Sequence, residues 1–85
     1  MKELNILYFA SLREAVGCAG ERLPLPEGVC TVGALREHLA ARGGVWTALT
    51  AGRNLRAAVN QRMVDGDAPL APGDEIAFFP PVTGG

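Results

Sequence analysis

The sequence is poor in the groups that most enzymes and metalloproteins rely on. It has one histidine, two cysteines and one tryptophan, and aromatic residues make up 6% of its 85 positions. Cys18 and Cys30 lie twelve residues apart, which fits neither a C-x-x-C redox pair nor a zinc ligand spacing, so they read as buried or incidental free thiols. His38 has no second histidine to join it. Zinc takes three or four protein ligands, so no metal is expected and His38 belongs on a helix surface. With no nucleophile motif and no phosphate loop, catalysis by the chain alone is not expected. Eight basic against nine acidic residues give a net charge of -1, without the basic stripe that a phosphate backbone requires, so nucleic acid is excluded as a partner. No apolar run approaches the roughly 18 residues of a membrane span, and Met1 to Asn5 lacks the regions of a signal peptide. The expected location is the cytoplasm, with no membrane partner.

What is present is a compact α+β pattern. A chain of this length is one domain and removes only about 60% of its unfolded surface from water, enough for one sheet and one covering layer. Leu4 to Ala10 is apolar, aromatic and short, which predicts a strand. Ser11 and Glu14 have the spacing of a capping box, and Gly17 offers a left-handed stop, so a short helix is expected over Leu12 to Val16. Glu21 to Leu25 reads as a second strand, placed at an edge because Pro24 cannot donate to a ladder. Thr31 is a candidate N-cap for the main helix, Val32 to Arg42, whose Val32, Leu35 and Leu39 share one face. Val45 to Arg53 is expected to be a loop or short helix anchored by Trp46 and Leu49. Leu55 to Asn60, Arg62 to Val64 and Glu75 to Phe79 complete the strands, the last after the turn Ala71-Pro72-Gly73-Asp74. Strand, strand, helix, strands is an α+β order that suggests a β-grasp, ubiquitin-like fold, a mixed sheet packed on one main helix, while periodicity alone also allows other small α+β arrangements.

The strands carry more apolar surface than one helix can cover. Alternation puts Ile76 and Phe78 on one face and Ala77 and Phe79 on the other, and it divides Ile6 and Tyr8 from Leu7 and Phe9 in the same way. Phe9, Phe79 and Met63 are therefore candidates for an apolar patch that docks a partner protein. The alternative is that the loop over Val45 to Arg53 folds across that face.

Residues 1–79 are read as the domain and 80–85 as an extended tail. Pro80 and Pro81 stiffen its root, and beyond Val82 the residues Thr83, Gly84 and Gly85 reach roughly 10 Å at about 3.3 Å each. Glycines leave no side chain to block a narrow channel. The chemistry open to such a tail is that of the α-carboxylate of Gly85. A carboxylate is a poor electrophile until it is converted to a mixed anhydride such as an acyl-adenylate. Displacement by sulfide or a persulfide then gives a thiocarboxylate, a stronger sulfur nucleophile.

Phe78 to Gly85, FFPPVTGG, with Gly73-Asp74-Glu75-Ile76-Ala77 before it, closely resembles the end of the molybdopterin synthase small subunit family. The likeness extends to Tyr8-Phe9-Ala10, Leu12-Arg13-Glu14, Thr31-Val32 with Leu35-Arg36, and Ala57-Ala58-Val59-Asn60-Gln61. It implies that Gly85 is adenylated by an ATP-dependent, ubiquitin-activating-like adenylyltransferase and then carries the thiocarboxylate. It implies that Pro80, Pro81, Val82, Thr83 and Gly84 form the arm inserted into the large subunit, where sulfur converts cyclic pyranopterin monophosphate to the dithiolene of molybdenum cofactor. The chain would bind no cofactor itself, ATP serving the activating enzyme, and the assembly implied is a heterotetramer. Two other uses of the same tail remain open at this point: sulfur carriage for the thiazole of thiamine, and ubiquitin-like modification of proteins through isopeptide bonds.

Overall fold

The computed structural model describes residues 3–50 and 55–80. Five strands form one mixed sheet in the order β2-β1-β5-β3-β4. Its elements are β1 (Glu3–Tyr8), α1 (Ala10–Val16), β2 (Gly20–Pro24), α2 (Val32–Ala40), a 3-10 turn (Gly44–Leu49), β3 (Arg56–Val59), β4 (Arg62–Val64) and β5 (Glu75–Phe79). β1 and β5 run parallel at the centre, and the other neighbours pair antiparallel. β2 lies at an edge, as Pro24 requires.

The core sits between one face of the sheet and α2. Leu4, Ile6 and Tyr8 of β1 and Ile76 and Phe78 of β5 are buried against Leu35 and Leu39 of α2 and Leu49 of the 3-10 turn. These are the alternate strand positions and the i, i+4 helix positions that periodicity selects. The Thr31 hydroxyl accepts from the Ala34 amide at 3.2 Å, the expected N-cap. Gly33 meets Gly66 at the same end. A Cβ on Gly33 would lie 3.1 Å from the Gly66 carbonyl oxygen, which already accepts from the Gly33 amide at 2.9 Å, so a side chain there would require the loop after β4 to give by a few tenths of an ångström.

Two local expectations are corrected. α1 begins at Ala10, with Phe9 at the N-cap position and no side-chain cap, so Ser11 lies inside the helix and makes no capping box. Ala10 adopts φ 55, a left-handed turn that sends the chain directly from β1 into α1. α2 ends at Ala40, short of Arg42, with Ala41 as its C-cap. Gly17 supplies the stop of α1 at φ 80, as its sequence position requires.

Candidate functional site

The 3-10 turn packs on α1 and α2, on the side of the core, so among the described residues no element covers the second face of the sheet. Strand register shows what that face carries. Leu7 pairs with Ala77, Ala77 with Ala58 and Ala58 with Met63, so these four form one apolar row across β1, β5, β3 and β4. Directly paired residues share a face. Phe79 is the next outward position on β5, opposite Arg56. The Phe9 amide donates to the Phe78 carbonyl at 3.1 Å, which extends the parallel ladder and sets Phe9 alongside Phe79. Phe9 is 46% exposed and Met63 61%, whereas Phe79 is half-buried. Asn5, Arg22 and Glu75, paired across the same face, give the strip a polar border.

The tail leaves from this site. Pro80 follows Phe79, is half-buried, and with Ser11, Leu12, Ala15, Ala48 and Leu55 lines a cleft of about 130 Å³. The ring of Pro80 fixes its own φ at the point where the described chain ends. Pro81, Val82, Thr83, Gly84 and Gly85 lie outside the described residues.

On the core side one carboxylate ties four elements together. Glu21 of β2 faces the core opposite Ile6. It accepts a hydrogen bond from the Tyr8 hydroxyl at 2.9 Å and two from the Arg42 guanidinium, each at 2.9 Å. Arg42 in turn lies 4.5 Å from the centroid of Trp46, whose ring meets Tyr8 edge-on at 5.5 Å. Tyr8 also stacks on Phe78 at 6.4 Å. The Arg42 hydrogen bonds hold Glu21 below the usual carboxylate range despite its partial burial. Burial, then the bond to Glu21, pushes the Tyr8 hydroxyl well above the usual phenol range. The bond to Glu21 also raises Arg42. The group is a structural clasp, with every charge paired and no vacant position for a substrate.

Phe9, Met63 and Phe79 thus lie on one face, with half-buried Pro80 next in the chain to Phe79. Leu7, which alternation already sets on the face of Phe9, belongs to the same patch, and so does Ala58, which escapes sequence reading because only register reveals that it lies between Ala77 and Met63. Among the described residues no group of three or more His, Cys, Asp or Glu side chains stands together in an arrangement that holds a metal ion. Cys18 is half-buried, Cys30 is exposed, and both are free thiols.

Residues 6–85 match the model of the ThiS family. The chain is 46% identical over 82 residues to the molybdopterin synthase sulfur carrier subunit of Escherichia coli, covering 96% of this chain and 99% of that one. Against the protein of the same name from Haemophilus influenzae the identity is 43%, with the same coverage. The crystal structure of the small archaeal modifier protein SAMP1 from Haloferax volcanii superposes with a TM-score of 0.76 at 27% identity, over 98% of this chain and 99% of that one. A β-grasp sheet, an uncovered apolar face, a proline-rooted tail and full-length matches of this kind have one reading: the chain belongs to the ThiS family of ubiquitin-like sulfur carriers.

Proposed function

We propose that the chain is the sulfur carrier subunit of molybdopterin synthase and that its reactive atom is on Gly85. The observation that carries this reading is the 46% identity, over nearly the whole of both chains, to a protein of that name. Residues 1–79 act as the body and 80–85 as the arm. The Gly85 carboxylate attacks the α-phosphate of ATP and releases pyrophosphate, on an adenylyltransferase that the chain docks. A sulfide nucleophile then attacks the acyl carbon and expels AMP, leaving a thiocarboxylate. The carrier next docks its large subunit through the strip bearing Phe9, Met63 and Phe79, and the arm delivers sulfur to the pterin precursor. Pro80 beside that strip supports this division of labour, because docking through the strip fixes the point from which the arm extends. One carrier at each end of a large-subunit dimer gives a heterotetramer.

Thiocarboxylated carrier added to the large subunit and cyclic pyranopterin monophosphate tests the reading: dithiolene should form, at a yield limited by the carrier supplied. Its absence, with thiazole formed instead in a thiamine-synthesising extract, would assign the carrier to the other pathway. The likeness to a small archaeal modifier protein favours a second use, protein modification. Isopeptide-linked conjugates of Gly85 with target lysines would be its signature.

A further inference from the structure

A second cavity, of about 180 Å³, lies between α2 and the β3–β4 hairpin, with Phe78, Val32, Leu55 and Val64 among its walls. Arg36 of α2 lines it. The Arg36 Nε is buried and has no hydrogen-bond partner, and among the described residues the one ion pair is that of Arg42 with Glu21. Arg56 and Asp65, both exposed, complete the charged lining. The start of α2 does not supply this cavity's polarity, because its first donors are already used. The Val32 amide donates to Ala68, Gly33 to Gly66 and Ala34 to the Thr31 hydroxyl. What remains is a partly open space with apolar and polar walls in nearly equal share, in which two guanidinium groups, Arg36 and Arg56, stand against the one carboxylate of Asp65.

We propose that this cavity binds one small oxyanion, a carboxylate or a phosphate-sized anion, gripped by the guanidinium fork of Arg36. A planar fork of N–H donors matches two oxygens of such a group. The space is several times the roughly 30 Å³ that a water occupies in the liquid, so a single water would leave most of it unfilled. Asp65 opposes an anion and sets a limit on affinity. The oxyanion has two possible sources, a dissolved anion and the carboxylate of Gly85. Leu55 lines both this cavity and the cleft that Pro80 lines, and five residues beyond Pro80 span at most roughly 17 Å at about 3.3 Å each.

The test is a nuclear magnetic resonance titration of the full chain with sodium phosphate, against sodium chloride at equal ionic strength. It follows the Arg36 Nε–Hε signal and the Gly33 and Gly66 amides. Phosphate should shift them saturably in the millimolar range. Arg36→Met should abolish the response, and Arg36→Lys, which keeps the charge but loses the fork, should weaken it at least tenfold. A chain with its Gly85 carboxylate converted to the amide separates the sources. If amidation itself moves these signals in oxyanion-free buffer, the tail is the ligand; if amide and acid titrate alike, the dissolved anion is. Equal, non-saturating responses to phosphate and chloride, with no effect of amidation, would mean a water-filled cavity and overturn the proposal. Should Arg36→Met fail to fold, the titration of the native chain still decides. No activating enzyme or large subunit takes part, so failure here leaves the sulfur-carrier reading standing.

Discussion

Phe78 and Phe79 are chemically identical neighbours with different tasks, since Phe78 is 1% exposed in the core whereas Phe79 stands half-buried on the open face. Phe79→Ala should therefore leave the unfolding midpoint close to native and weaken binding to the large subunit about tenfold or more, as removing an interface aromatic does. Calorimetric titration of the variant against the large subunit checks this, and unchanged affinity would remove Phe79 from the dock. This split was legible in the sequence, because a period of two assigns faces without coordinates. The turn at Asn60 and Gln61 was not. Both have positive φ, 52 and 70, the pattern of a two-residue hairpin in which glycine is favoured at the second position. The sequence Asn-Gln does not announce such a turn. Gln61→Gly should stabilise the chain by about 0.5–1 kcal/mol in denaturant unfolding.

Among the elements, the clasp of β2, β1, the 3-10 turn and the segment after α2 depends on the ionisation of Glu21. Its carboxyl is held below the usual range in the folded chain, so the unfolded chain binds its proton more tightly. The stabilisation is full above the unfolded value, near pH 4.5, and is lost as pH falls through the lower folded value. Glu21→Gln should lower stability at pH 7 and flatten the acid limb of the stability profile below about pH 4.5. Trp46, the sole tryptophan and packed against Arg42, reports that unfolding by its fluorescence. Tyr8 acts at the other extreme. Its raised ionisation preserves stability up to its unfolded value near pH 10, with loss above it, and Tyr8→Phe should remove that alkaline component. None of this was readable beforehand, since Glu21 and Arg42 are 21 residues apart and only the antiparallel register of β2 turns Glu21 inward. The main helix, its Thr31 cap and the strands were readable, because each rests on local patterning. The start of α1 was misread because a capping-box spacing exists in the sequence while a left-handed Ala10 removes the need for it.

For the molecule as a whole, sheet order and the position of its tail follow from one arrangement. β5 lies between β1 and β3, so the chain leaves the centre of the sheet, beside Phe9 and next to the uncovered strip. Sequence motifs made the family legible, while the continuity of the strip through Leu7, Ala77, Ala58 and Met63 required the register. Sulfur carried on Gly85 is the central claim, and intact-mass analysis after co-expression with the activating enzyme tests it most directly. The account predicts a species heavier by one sulfur-for-oxygen exchange, confined to the C-terminal peptide and absent when Gly85 is deleted. A chain that keeps its unmodified mass in the presence of active enzyme, ATP and a sulfur source would contradict it.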